Sequence, residues 1–351
     1  MKEFKIEDKI LGDGHPVFFI AEAGVNHNGS IELGKKLVDI AAEAGADAVK
    51  FQTFITDNII TPEAPKSTYH IETTGDDSSQ TWYDLLKTQE MSKQMHVELI
   101  NYCQKVGIIF LSTPYDAESV DLLDELGVAA FKIASTDTNN IPLLKYIAKK
   151  AKPLILSTAM SNMKEVKESV VAIRDEGLEE LAVLQCTGNY PSKTDDSNLR
   201  VISSYKRKLK CIVGYSDHTP DLINAVAATA LGAKIYEKHF TVDKSLPGPD
   251  HRMSLNLEEL KSTIQIIRDT EKSLGNTEKE VLNCEKENRG KLRKSIITTC
   301  DISIHSEIKK EMITIKRPGY GMPPVMIDTI IGKKINKNIS KNSPLTFDDI
   351  S

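Results

Sequence analysis

The chain has 351 residues, 45 of them basic and 50 acidic, for a formal net charge of −5. That balance excludes a strongly basic nucleic-acid clamp and gives no electrostatic reason to sit on an anionic membrane. With 40% apolar and 27% charged residues it has the make-up of a globular chain rather than a disordered one, and no stretch approaches the ~18 unbroken apolar residues of a membrane span.

The opening MKEFKIEDKI is charged where a secretory leader needs its apolar stretch. Cys103, Cys186, Cys211, Cys284 and Cys300 lie far apart with no CxxC pair, so free thiols in a reducing cytoplasm are expected. Short β-type runs then recur at 17–21, 46–51, 107–111, 129–133, 153–156, 181–184, 211–213 and 234–237. Helix-length stretches with apolar residues three and four apart separate them, at 31–44, 92–105, 116–126, 141–150, 162–175, 220–231 and 257–274. A polar excursion occupies 53–90. Strands alternating with helices imply parallel βαβ units. Eight of them in about 250 residues favour an α/β fold of the closed (β/α)8 TIM-barrel type over an open doubly wound sheet.

Beyond Leu274 the texture changes. Residues 275–290 (GNTEKEVLNCEKENRG) are polar and read as a linker or solvated helix, and 291–351 carry short β-like pieces punctuated by Gly and Pro. The expected organisation is therefore a catalytic barrel at 1–274, a linker at 275–290 and a small domain at 291–351 whose size makes a lone core marginal.

A βα barrel builds its active site at the C-terminal ends of its strands, and here all eight expected ends are polar. They bring Glu22; Lys50 and Gln52; Ser112 and Thr113; Lys132, Ser135 and Asp137; Ser157 and Thr158; Gln185, Asn189 and Tyr190; Ser216, Asp217 and His218; and Glu237, Lys238 and His239. Unpaired charge buried in β segments costs several kcal/mol, so this pattern points to function. Lys50 and Lys132, with nearby hydroxyls, suit a phosphate and a carboxylate bound together. The plainer alternative is that each lysine pairs with Glu22, Asp137 or Glu237 to hold the barrel shut, and a Schiff-base role also stays open. His218 and His239 end neighbouring strands and could share one divalent metal in an open site completed by substrate and water. Each could equally be a satisfied polar residue. His27 is a weaker candidate, His251 lies near enough to line the mouth, and His15, His70, His96 and His305 read as surface or loop residues.

The segments IAEAGVNHNGS, DAVKFQT, APKSTYHIETTG, FLSTPYD, AFKIAS, LILSTAM, GYSDHT, YEKHFT, PGPDHRMSL and KRPGYG follow one another in an order that resembles the sialic acid (N-acetylneuraminate) synthases, including the legionaminic acid synthases. That resemblance implies a barrel followed by a small antifreeze-like (SAF) domain, in a domain-swapped homodimer where this domain caps the partner's site. It implies condensation of phosphoenolpyruvate with the open-chain aldehyde of N-acetylmannosamine and water, giving N-acetylneuraminate and phosphate. The same reaction on 2,4-diacetamido-2,4,6-trideoxymannose, giving N,N'-diacetyllegionaminate, is the alternative, and a catalytically inactive sugar-binding barrel is the alternative of another class. By the resemblance, His218 and His239 hold a divalent ion, Mn2+ first, with Mg2+ or Co2+ as alternatives. Glu22 lies near the reacting carbons and Glu237 beside the metal. Lys50, Thr113, Lys132, Ser135, Ser157 and Ser216 contact phosphoenolpyruvate, Asp137, Tyr190 and Arg317 contact the sugar, and Asn189 is a further substrate-binding position. Asp137 stands where some members carry glutamate, and Gly188 where others carry Asn or Thr.

Overall fold

The structure is a computed structural model that describes residues 3–66, 68–74 and 80–351. Ser67 and Gly75 of the APKSTYHIETTG motif lie outside the described residues, as does the side chain of His70. The chain divides into two compact units, Met1–Gly275 and Asn276–Ser351. Among the described residues no helix is long and apolar enough to cross a membrane, and the five cysteines are free thiols.

The first unit begins with an antiparallel hairpin of β1 (Phe4–Ile6) and β2 (Lys9–Leu11). Eight parallel strands follow: β3 (Phe18–Gly24), β4 (Ala48–Thr53), β5 (Ile109–Pro114), β6 (Phe131–Ile133), β7 (Leu154–Ser157), β8 (Leu181–Cys186), β9 (Ile212–Asp217) and β10 (Ile235–His239). Their spatial order is β5-β4-β3-β10-β9-β8-β7-β6, so the first strand of the set pairs with the last, Glu22 opposite His239. An open doubly wound sheet does not make that pairing. The ends of the ladder, β5 and β6, lie side by side without a hydrogen-bonded ladder between them, which leaves the barrel nearly closed.

Period-two alternation divides each strand between two environments. One face points outward to the helices, where Phe19, Val49, Phe51, Val183, Val213 and Tyr236 join the main core. The other faces the lumen. Its lower layer is apolar, with Ile20, Ala48, Leu111, Ile155, Leu184 and Ile235 resting on Phe4, Ile6 and Leu11 of the hairpin, which closes the bottom of the barrel. Two residues further along each strand, the same face presents Glu22, Lys50, Thr113, Ser157, Ser216 and Glu237. Gly214 belongs to this crowded interior, because a Cβ there would collide with the Ile235 carbonyl and the Leu184 side chain. The surrounding helices have well-defined ends. Ser30 accepts from Leu33 N–H at the start of Ile31–Ala44, left-handed Gly45 ends that helix, and Asn256 with Glu259 forms a capping box on Leu257–Leu274.

Two expectations need correction. Seven of the eight barrel strands run one to four residues beyond their expected C-terminal limits, because the polar groups taken as the end of each strand still hold β geometry. The charged N-terminus also hides a hairpin, whose inward Phe4, Ile6 and Leu11 are buried while Lys5 and Lys9 stay in solvent.

In the second unit a turn at Asn283–Glu285 and a short helix at Lys286–Leu292 lead into β11 (Ser295–Thr298), which pairs antiparallel with β12 (Ile313–Lys316). Ile296, Ile302, Ile308, Ile313, Met322, Ile335 and Leu345 form its own core. Residues 330–335 form only isolated bridges, Lys334 to Glu307 and Ile335 to Ile350.

Two buried histidines predict an acid-sensitive barrel. His96, expected at the surface, is fully buried on helix Lys93–Val106 and bonds Thr53 Oγ1 at 2.8 Å. His27 is equally buried, accepts from Gly29 N–H at 3.0 Å and lies against Phe51. Burial lowers both, reinforced at His27 by His96 and His251, and brings His27 to about 4. Between that value and the ordinary ~6.5 of an unfolded histidine, the unfolded chain binds more protons, so stability falls as the pH drops through this window. His27→Asn keeps an acceptor for Gly29 and should make the urea midpoint less pH-dependent between about 6.5 and 4. An unchanged pH dependence would contradict this.

Candidate active site

Four charged side chains meet at the top of the lumen, all nearly inaccessible to solvent. Lys50 Nζ lies 3.1 Å from Glu22 Oε2 and 3.6 Å from Glu237 Oε2, and donates to Thr113 Oγ1 at 2.9 Å. Lys132 Nζ donates to Ser157 Oγ at 2.7 Å and to the Ile133 carbonyl at 3.0 Å, 3.7 Å from Glu237 Oε1. Ser216 Oγ donates to the same Glu237 oxygen at 2.8 Å, and Gln52 Nε2 to Glu22 Oε1 at 3.3 Å. Both lysines therefore make ion pairs with glutamates, as the plainer sequence reading anticipated, while Asp137 joins neither.

The pairings pull the two glutamates apart. Burial raises Glu22 to about 7 against the opposing pull of Lys50. Burial also works against ionisation of Glu237, but Lys132, Lys50 and Ser216 outweigh it and bring that carboxyl to about 2. Lys132 falls to about 8, chiefly through burial, whereas Glu22 and Glu237 overcome the same penalty at Lys50 and raise it. Divergent carboxyls over paired lysines suit a site that must hold anions and handle a proton.

Beside this quartet lie His218 and His239, ring centroids 5.5 Å apart, with the Tyr190 ring 4.2 Å from the first and 6.0 Å from the second. The Thr187 carbonyl accepts from His218 Nδ1 at 2.8 Å, which leaves the Nε2 edge for another partner. Nδ1 of His239 is buried without a hydrogen bond, 3.9 Å from Asp250 Oδ2. An orphaned buried nitrogen costs about 1–3 kcal/mol. Two adjacent imidazoles, one with such a nitrogen and one held by a carbonyl, fit a divalent ion in an open site. Among the described residues no group of three or more His, Cys, Asp or Glu side chains forms a fuller ligand set.

The remaining candidates are more dispersed. Ser135 and Asp137 form the short turn after β6. Ser135 Oγ accepts from Ala159 N–H at 2.9 Å, and Asp137 accepts from Asn140 at 2.9 Å and from Thr136 at 3.3 Å. Asn189 is exposed after β8, beside Gly188, where an added Cβ would press on Ala159 and Met160. Arg317 belongs to the second unit, is exposed, and donates through Nε to the Leu292 carbonyl at 2.8 Å.

Three groups at the mouth escaped the sequence reading. Asp250, raised to about 6 by burial, faces His239 from the loop after β10. Cys186 Sγ sits 3.7 Å from His218 Nδ1, and each group favours the charged form of the other. Tyr115 packs edge-on against Phe54, its phenol held well above the usual value by burial and by the carboxylates of Glu22, Asp137, Asp250 and Glu237. A polar residue following FLSTP and an aspartate in PGPDH were the available signals. Conversely, His251 is an anchor: it bonds Thr241 Oγ1 at 2.6 Å and Asn28 Oδ1 at 3.3 Å.

A nearly closed parallel barrel with paired charges collected at its C-terminal rim is the scaffold of an enzyme rather than of a purely structural protein. The NeuB family profile matches residues 37–279, and that of the SAF domain residues 293–351. Over 325 residues, 92% of this chain and 97% of the other, the sequence is 42% identical to the N,N'-diacetyllegionaminic acid synthase of Campylobacter jejuni. It is 35% identical over 342 residues to the N-acetylneuraminate-9-phosphate synthase of Mus musculus, covering 97% of this chain and 94% of that one. The solved N-acetylneuraminic acid (sialic acid) synthetase of Leptospira borgpetersenii, in complex with citrate, superposes with a TM-score of 0.72 at 33% identity, covering 82% of this chain and 95% of that chain. The chain belongs to the NeuB family of sialic and legionaminic acid synthases.

Proposed function

We propose that this protein condenses phosphoenolpyruvate with the open-chain aldehyde of an N-acetylated mannose-type sugar, releasing phosphate. The observation that carries the reading is the buried Lys50–Glu22–Glu237–Lys132 quartet beside two adjacent imidazoles. Lys50 and Lys132, with the hydroxyls of Thr113, Ser135, Ser157 and Ser216, bind the phosphate and carboxylate of phosphoenolpyruvate and aim its C3 at the aldehyde carbon. Orientation of this kind lowers a barrier by several kcal/mol. Bond formation leaves positive charge at C2, which the Glu22 and Glu237 carboxylates stabilise. Water adds there, Glu22 holds or moves its proton, and C–O cleavage releases phosphate. His218 and His239 would hold the divalent ion, Mn2+ with Mg2+ or Co2+ as alternatives, whose chemistry is Lewis-acid polarisation of the aldehyde.

Of the two sugars, the greater identity to the legionaminic acid synthase than to either sialic acid relative supports 2,4-diacetamido-2,4,6-trideoxymannose, the substrate that the resemblance gave as the alternative. Mass spectrometry of the product formed from phosphoenolpyruvate with each sugar tests this. N,N'-diacetyllegionaminate is expected as the faster product; N-acetylneuraminate in its place would restore N-acetylmannosamine, and no phosphate release with either would favour a binding protein.

Arg317 completes the sugar site, in this reading, from a second copy of the chain. Neither Arg317→Ala nor His239→Ala homodimers should turn over, yet mixing them under conditions of subunit exchange should restore about a quarter of wild-type activity, since each mixed two-fold dimer has one intact site. Demonstrated exchange without rescue would contradict capping by the partner.

A further inference from the structure

Behind the two imidazoles, on the outer face of the same strands, lies a second charged pair. Asp217 precedes His218 and Lys238 precedes His239, and the two are register partners across β9 and β10. Lys238 Nζ lies 2.6 Å from Asp217 Oδ2, with their side chains 3% and 0% exposed. Tyr236 OH donates to the same oxygen at 2.5 Å. Asp217 Oδ1 reaches past His218 to accept from Thr219 N–H at 2.9 Å and Thr219 Oγ1 at 2.8 Å, while Lys238 also donates to the Thr219 carbonyl. Asn224 ties the Thr219 hydroxyl to Ser197 Oγ.

A charged pair this deep gives little stability over apolar residues of the same volume. What it adds is direction. The residues on both sides of His218 are bonded to the lysine that immediately precedes His239, so any shift of one imidazole's backbone relative to the other must break charged hydrogen bonds in a dry environment. We infer that Asp217 and Lys238 are positioning residues that set the separation of the His218 and His239 imidazoles for the divalent ion. This rests on the metal reading above. The pair touches neither the lumen nor any group assigned to phosphoenolpyruvate, so its effect is selective: metal affinity depends on it and anion affinity does not.

The test is Mn2+ binding to the full-length chain, freed of metal by chelator, followed by calorimetry, with phosphoenolpyruvate binding measured separately in chelator. Lys238→Met is expected to raise the Mn2+ Kd roughly 10–100-fold, the usual effect of losing an outer-shell partner, and to leave phosphoenolpyruvate affinity unchanged; Lys238→Arg should recover part of the loss. Tyr236→Phe removes one hydrogen bond to Asp217 at little cost in volume, and should raise the Mn2+ Kd several-fold even if Lys238→Met does not fold. Unchanged Mn2+ affinity in folded Lys238→Met or in Tyr236→Phe overturns the inference, as does an equal loss of both ligands. His218→Ala separates the two levels. If it binds Mn2+ as the unaltered chain does, the metal reading itself fails and takes this inference with it.

Discussion

Lys50→Met should cost nearly all turnover and, at and above neutral pH, stability as well, because without the ammonium Glu22, already raised to about 7 by burial, must carry a proton that the unfolded chain does not hold. Lys50 is the sole charged partner of Glu22 among the described ion pairs, and also reaches Glu237. Its removal differs from that of Lys132, whose partner Glu237 would keep both Lys50 and the Ser216 hydroxyl. The double variant Lys50→Met/Glu22→Gln separates the two losses. A carboxamide needs no counter-ion, so most of the stability should return, while turnover stays down by about a thousandfold or more without the anion contact. Urea unfolding and phosphate release measure the two quantities. A Lys50→Met protein as stable as wild type, or a double variant with substantial turnover, would contradict the assignment.

His218→Ala should show the opposite balance, with turnover lost by a factor of about a thousand or more and the fold retained. Its imidazole is used by the Thr187 carbonyl, the Cys186 sulfur and the Tyr190 ring; once it is gone nothing nearby of comparable strength favours a Cys186 thiolate, which reverts to the neutral thiol, so truncation strands no charge. Unfolding should therefore stay cooperative, with a midpoint close to that of wild type. Full activity on resupplying Mn2+ would remove His218 from the metal site.

The barrel and its working end were legible because period-two alternation serves two purposes in the same strands. Ile20 then Glu22, Ile155 then Ser157, and Ile235 then Glu237 show an apolar floor giving way to a polar rim, a change visible in the residue order alone. The same transition misplaced the strand ends, since a polar residue within a strand looks like its boundary. The polar residues at those ends also look alike in sequence. Ser216 and Glu237 face the lumen, but Asp217 and Lys238, one position along, turn outward to each other.

The sequence by itself determined the alternation that makes eight parallel strands, the residue types at their C-terminal ends and the family to which they belong, because these follow from local periodicity and ordered motifs. Only the tertiary structure decided which charge answers which. Lys50 meets Glu22 on one neighbouring strand and Glu237 beyond it, and His96, unremarkable in its helix, is sealed beneath Thr53. The physical reason is that closure of the barrel joins the first strand to the last. Residues at opposite ends of the domain then share one desolvated volume, where distances of 3–4 Å set both protonation and partnership.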